Sequence, residues 1–270
     1  MISIIGIVLM PKKYKKITEK SIDDTIVVGD KNYDKVLIFI HGLGDNPSSW
    51  LFFANEIRKE ISNIKIILPK APTNSVSAND GLKMNSWFDI KKIPIEINEI
   101  NSRNELKVDT SMNKGFDKSS DMILDESIKT IHNLIDYEIS EKTIDPSNIF
   151  LGGFSQGAAL SLISLLRLKN INLGGIILLS GWLLEEIILN PYVHLNLSNN
   201  IFIGHGNNDS IVKYENSNLM NSYINRLRTN QLLDDSNFSI VFNTYDNMGH
   251  SVSYKERRDI IDWMKRYKNR

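Results

Sequence analysis

Gly153-Phe154-Ser155-Gln156-Gly157 places a serine between two glycines. It comes directly after the apolar run Ile149-Phe150-Leu151 and directly before the helix-forming Ala158-Ala159-Leu160. A Gly-x-Ser-x-Gly set between a buried strand and a helix is the sequence form of a nucleophile elbow, a strained turn that holds one serine oxygen clear of the backbone. The flanking glycines have a steric reason: the turn needs unusual backbone angles and close strand–helix contact, and a Cβ there would clash. The competing reading, a glycine-rich turn with an incidental serine, has to be decided by the rest of the chain. A serine hydroxyl is a poor nucleophile at neutral pH, so it needs a base within hydrogen-bond reach and a third group to orient that base.

On an elbow of this kind the acid and then the histidine follow the serine, each in a loop after a strand. Five histidines are available. His132 and His194 lie in a helix and a loop without such a context and read as surface or packing residues. His41 precedes the serine, and its place in His41-Gly42-Leu43-Gly44 suggests a role in shaping a loop that receives negative charge. His205 and His250 both follow strands. His250, in Met248-Gly249-His250-Ser251, has both the serine and a candidate acid upstream, so it is the base, with His205 as its rival. The acid is Asp209, in the loop after the penultimate strand, with Asp246 as the rival, four residues before His250 in the same loop. Asp45 and Asp145 read as turn or capping residues. A tetrahedral oxyanion needs backbone N–H donors. One is expected from Gln156, at the positive end of the elbow helix, and the other from Leu43, between Gly42 and Gly44.

These residues require a scaffold, and the hydrophobic pattern describes one. Val36 to Ile40 is a continuous β-rich apolar run, as expected of a strand buried on both faces. Ile26-Val27-Val28 is its expected hairpin partner across Gly29-Asp30-Lys31-Asn32. Ser48 or Ser49 is expected to cap a helix running to about Ile61, and Ile64 to Leu68 is the next strand. Lys70 to Phe88 reads as a long loop carrying large apolar side chains. Residues 91 to about 118 are polar and read as a mobile surface insertion. A helix spans Met122 to about Ile139, and the elbow helix ends near Leu168. Further strands are expected at Gly175–Leu179, Asn200–Ile203 and Phe238–Tyr245, with helices around Val212–Arg228 and Tyr254–Tyr267. Alternating strands and helices give an α/β, doubly wound, mostly parallel sheet. Neither a repeat nor a linker divides residues 23–270, which form one domain after an N-terminal extension at 1–22.

With this much on the page, the chain resembles the acyl-protein thioesterase/lysophospholipase (phospholipase/carboxylesterase) group of serine hydrolases. The matching pieces are His41-Gly42-Leu43-Gly44-Asp45, Ser86-Trp87-Phe88-Asp89, Gly152 through Ala158, Leu179-Ser180-Gly181-Trp182-Leu183, His205-Gly206 with Asp209, and Gly249-His250-Ser251. The resemblance implies an α/β-hydrolase fold without a large cap domain, a triad of Ser155, Asp209 and His250, and oxyanion donors at Leu43 and Gln156. It also implies long-chain acyl substrates, on protein cysteines or on lysophospholipids. Three features depart from the group's pattern: Asn207 and Ser210 stand where it often has an acid and a proline, the 91–118 insertion and the N-terminal extension are unusual, and the N-terminal cysteine used for membrane cycling is missing. These bear on membrane recruitment and substrate choice.

Composition narrows the alternatives. Lys plus Arg (32) equals Asp plus Glu (32), so no nucleic-acid partner is expected. The chain has no cysteine, which excludes disulfides, a thiol nucleophile and palmitoylation of the chain itself. No metal or cofactor is implied. Ile2 to Met10 is too short to span a membrane, and Lys12, Lys13, Lys15 and Lys16 follow it, the reverse of a secretory signal. A glycan on the sequon Asn208-Asp209-Ser210 would sit beside the candidate acid, which also disfavours secretion. The expected location is cytoplasmic, with transient membrane-surface contact. The acyl chain is expected against Leu82, Met84, Trp87, Trp182 and Leu183, for each of which ordinary core packing is the competing role. Three functions stay open: a thioesterase on S-palmitoylated proteins, a lysophospholipase or small-ester carboxylesterase using the same triad, and a non-catalytic binding protein.

Overall fold

The computed structural model describes residues 24–29, 32–96, 118–184, 199–230 and 239–267. The N-terminal extension, residues 97–117 of the expected insertion and His194 lie outside these.

Seven strands form one sheet: β1 (Ile26–Gly29), β2 (Lys35–Ile40), β3 (Ile64–Leu68), β6 (Ile149–Phe154), β7 (Gly175–Leu179), β8 (Ile201–Gly206) and β9 (Ile240–Tyr245), in the order β1-β3-β2-β6-β7-β8-β9. All neighbours are parallel except β1 and β3. The remaining strands, β4 (Thr73–Val76) and β5 (Leu82–Asn85), form a separate antiparallel hairpin. The central strands are apolar and buried throughout, because helices cover both faces. On one face, α1 (Leu51–Glu60) and α5 (Tyr254–Arg266) pack Phe53, Ile57, Ile260 and Trp263 against Phe39, Phe150 and Phe202. Arg257 clamps the two helices with a two-pronged hydrogen bond to Glu56, at 2.6 and 3.2 Å. On the other face lie α2 (Lys118–Ser140), α3 (Gln156–Leu166) and α4 (Glu215–Asn230). Every residue of α3 is buried, which explains why it is apolar all round instead of on one stripe.

The expected strands at Ile64–Leu68 and Gly175–Leu179 occur with those bounds. Four expectations need correction. β1 pairs with β3, Ile26 opposite Leu68, and not with β2, because β2 is already flanked by β3 and β6. Asn46, not Ser48 or Ser49, caps the helix entry: its side chain accepts the Ser48 N–H, and a 3₁₀ turn at Pro47–Trp50 leads into α1. The segment 70–88 contains the β4–β5 hairpin, turned through Asp80 and Gly81, both at positive φ (53° and 77°). Residues 91–96, finally, are no free surface insertion. Ile93 and Ile95 pack on the core, and Ile95 donates to the Ile211 carbonyl (2.7 Å) and accepts from the Lys213 N–H (3.1 Å).

At the start of α5, Ser253 Oγ accepts the Glu256 N–H (3.1 Å), an N-cap with glutamate at the third helical position. The Glu256 side chain turns inward instead of completing the capping box. It is fully buried against Gly204, where a Cβ would lie 2.3 Å from Oε1, and neither carboxyl oxygen has a hydrogen-bond partner among the described residues. Burial, partly offset by the approaching Ser253 amide and reinforced by Asp259, pushes this carboxyl up to about 8.

Candidate active site

The site lies at the carboxyl ends of β2, β6, β8 and β9. β6 ends at Phe154, and Ser155 follows in a left-handed conformation (φ 56°, ψ −121°) before α3 begins at Gln156. A non-glycine residue in this region is strained, and such strain persists only where the surroundings enforce it. Here the enforcement is steric. A Cβ on Gly153 would come 2.4 Å from the Gly157 carbonyl carbon, and one on Gly157 would come 2.1 Å from the Ile40 carbonyl oxygen. The two glycines let strand, elbow and helix close on one another.

His250 Nε2 lies 2.9 Å from Ser155 Oγ, and His250 Nδ1 lies 2.7 Å from Asp209 Oδ2. Burial pulls the Asp209 carboxyl upward, but hydrogen bonds from His205, His250 and the Val212 N–H outweigh it and hold the group well below the usual carboxylate range. An ionised carboxylate only accepts, so His250 carries its proton on Nδ1 and presents Nε2 to the serine hydroxyl. The Phe154 ring tilts against the His250 ring, 4.7 Å between centroids. Ser155 is 8% exposed, and Gln156 after it is fully buried.

The two loops carrying Asp209 and His250 are tied together. The Asn207 side chain accepts the Asn247 N–H (2.9 Å) and donates to Asp246 (2.8 Å). This accounts for one departure noted in the sequence, since an acid at 207 would meet the Asp246 carboxylate. It also places Asp246 on Asn207, whereas His250 faces Asp209. The Asp209 loop is braced from behind by residues 95 and 211–213, as described above.

The loop after β2 is held from several sides. His41 Nδ1 donates to the Gly42 carbonyl (2.8 Å) and Nε2 accepts the Ala71 N–H (3.1 Å). Burial lowers the His41 pKa, which keeps that accepting nitrogen unprotonated. The Gly44 N–H bonds to the Asn85 carbonyl (2.8 Å). The Gln156 side chain is fully used, accepting from the Trp87 N–H (3.1 Å) and donating to Ser86 Oγ (3.0 Å) and the Phe88 carbonyl (2.7 Å). Among the described residues no acceptor is found for the N–H groups of Leu43 and Gln156. The elbow helix N-terminus adds positive potential at the same place.

The expected acyl-contact residues separate into two groups. Trp87 has no exposed surface and donates its indole N–H to the His41 carbonyl (2.9 Å). It is a core strut for the β2 loop and not a groove lining. Trp182 packs edge-on against Phe88, and both it and Leu183 are buried in the same core. An aromatic residue near a motif reveals its type but not the face it shows. By contrast, Leu82 is 64% exposed on the hairpin, and Met84 reaches toward Gly44. Two contributors went unread in the sequence. Phe154 could have been found as the last strand residue, immediately before the nucleophile. His205 was considered only as a base, although its spacing of four from Asp209 already placed the two together.

Comparison with known proteins agrees with this architecture. The phospholipase/carboxylesterase family matches residues 23–267. Acyl-protein thioesterase 1 of Yarrowia lipolytica is 31% identical over 232 residues, covering 84% of this chain and 89% of that one. Carboxylesterase SOBER1 of Arabidopsis thaliana is 32% identical over 232 residues, covering 85% and 89%. The crystal structure of SOBER1 superposes with a TM-score of 0.67 at 30% identity, over 86% of this chain and 98% of that one. Because the match runs from before the first strand to the end of α5, on a sheet with helices on both faces, the chain belongs to the phospholipase/carboxylesterase family of serine hydrolases.

Proposed function

We propose that the chain hydrolyses acyl thioesters of S-palmitoylated proteins, with Ser155 as nucleophile, His250 as general base and Asp209 as the orienting acid. The observation that carries the chemistry is the unbroken line Ser155 Oγ, His250 Nε2, His250 Nδ1, Asp209 Oδ2, at 2.9 and 2.7 Å. Ser155 Oγ attacks the acyl carbonyl carbon while its proton passes to His250 Nε2. The oxyanion is received by the N–H groups of Leu43 and Gln156, and Asp209 stabilises the imidazolium. Collapse breaks the carbon–sulfur bond, and the thiolate leaves with the proton from His250. Water then adds to the acyl-enzyme with His250 again as base, releasing the carboxylic acid and restoring Ser155. The preference for a thioester is supported by the similarity to acyl-protein thioesterase 1. The acyl chain is assigned to the hairpin side of the site, at Leu82 and Met84.

The test pairs a palmitoylated peptide with a short-chain nitrophenyl ester and a fluorophosphonate probe. The wild type is expected to release palmitate and to be labelled, and Ser155→Ala to do neither. Cleavage of the short ester alone would remove the depalmitoylating role and leave a small-ester carboxylesterase. Equal labelling of Ser155→Ala would overturn the nucleophile.

A further inference from the structure

We propose that His205 is a positioning residue for the Asp209 carboxylate, completing a relay that runs from Ser155 through His250 and Asp209 to His205 and Ser217. This rests on the triad read above and adds a member to it. Asp209 is fully buried at its side chain and has three hydrogen-bond donors, with the His205 ring nitrogen close by. Oδ1 accepts the N–H groups of Ile211 and Val212, both at 2.9 Å. Oδ2 accepts His250 Nδ1 at 2.7 Å, and His205 Nε2 lies 3.2 Å from the same oxygen. Both carboxylate oxygens are thus engaged, and His205 stands beside the one that faces His250.

The His205 tautomer follows from its partners. Nε2 lies between two groups that can only accept, the Val212 carbonyl at 2.8 Å and the ionised Asp209 Oδ2. It must carry the proton, bonded to the Val212 carbonyl with Asp209 Oδ2 next to it. Nδ1 is 2.6 Å from Ser217 Oγ, which can donate to it and so fixes that assignment. The ring has no exposed surface, and the Tyr214 ring closes it edge-on at 5.8 Å. β8 supplies His205 and α4 supplies Ser217, so the acid is aligned by the packing of a helix against the sheet and not by its own loop alone.

The Val212 carbonyl alone would also require a proton at Nε2, so the pH profile of the site, and not the tautomer, separates a residue that holds Asp209 from one that only packs. Without that donor Oδ2 is freer to leave the line to His250, and the negative charge that His250 faces is less compensated. The first effect slows the reaction; the second favours the imidazolium and raises the pH at which His250 becomes a base. Two substitutions separate the nitrogens. His205→Gln sets an amide N–H near the place of Nε2 and keeps the donor. His205→Asn reaches only toward the place of Nδ1 and loses it.

The experiment follows fluorophosphonate labelling of Ser155 against pH, a readout of serine nucleophilicity that needs no known substrate. His205→Asn is expected to label about 10- to 100-fold more slowly, the range of one hydrogen bond to a charged group, with its lower pH limb moved upward. His205→Gln is expected to stay within a few-fold of wild type with the limb unmoved. An unaltered His205→Asn, or equal losses in both variants with no shift of the limb, would overturn the proposal. Nitrogen-15 NMR of wild-type histidines tests it without any variant: a proton on His205 Nδ1 instead of Nε2 would refute it. If His250→Ala labels like wild type, the triad itself is wrong; if His250→Ala is dead and His205→Asn is normal, only the role of His205 falls.

Discussion

Asp209 shows how much one side chain carries. Its donors from Ile211, Val212 and His250 require an acceptor at both oxygens, and an amide cannot supply that. Asp209→Asn would set an NH₂ group against imidazole N–H groups or backbone amides, so His250 would have to change tautomer or turn. Turnover of a nitrophenyl ester is expected to fall by about 10⁴-fold, as for the equivalent change in serine proteases, with the fold kept but the thermal melt lowered by the loss of the carboxylate's hydrogen bonds. Activity within tenfold of wild type would show that the proton relay runs elsewhere. The proximity of residues 155, 209 and 250 could be read from the chain because each follows an apolar strand, and the order of strand ends leaves few ways to meet. The roles of Trp87 and His205 could not. Both depend on which way a side chain faces, and that is decided by segments far away in sequence: the loop after β2 for Trp87, α4 for His205.

Among the elements, the elbow is the one whose local sequence and tertiary environment are least separable. Gly157 lies in the first turn of α3 with no room for a methyl group, since the obstacle is the Ile40 backbone and not a side chain that could rotate away. Gly157→Ala is therefore expected to cost at least about 3 kcal/mol, placing it among the severe steric substitutions. A denaturant titration measures this, and a loss under 1 kcal/mol would mean that β2 and α3 can separate without harm. The apolar strands were legible because burial on both faces leaves a continuous run. The β4–β5 hairpin was not read, since Thr73–Val76 and Leu82–Asn85 are largely polar and half exposed. Its one local signal was Asp80-Gly81, the residue pair that positive-φ hairpin turns favour. β1 was assigned to the wrong neighbour for a general reason. Chain proximity favours a hairpin with β2, and only the complete sheet shows that both sides of β2 are taken.

Taken as a whole, the molecule balances its formal charge, yet two buried carboxyls tilt its stability with pH in opposite directions. Asp209 is held below its ordinary value, so its contribution is present above about pH 4, the unfolded pKa, and is lost as pH falls through the folded one. Glu256 is held up at about 8 against 4.5. Between those values the unfolded chain has released a proton that the folded chain keeps, so stability declines as pH rises across that window. Glu256→Gln removes the decline. It should raise the melting temperature by about 5 °C or more at pH 8 and by little at pH 5. Calorimetry at both pH values is the check, and an equal gain at each would show that Glu256 does not titrate there. The direction of β1 has a practical outcome. Running against its neighbour, it starts opposite Leu68, so Thr25 enters the sheet on the rim where the elbow opens, about 14 Å away across three strand spacings. Tyr267, bonded to Ser239 just before β9, leaves from the opposite rim. An insertion made at Thr25 would therefore fall on the elbow's side of the sheet, and one made at Tyr267 on the far side.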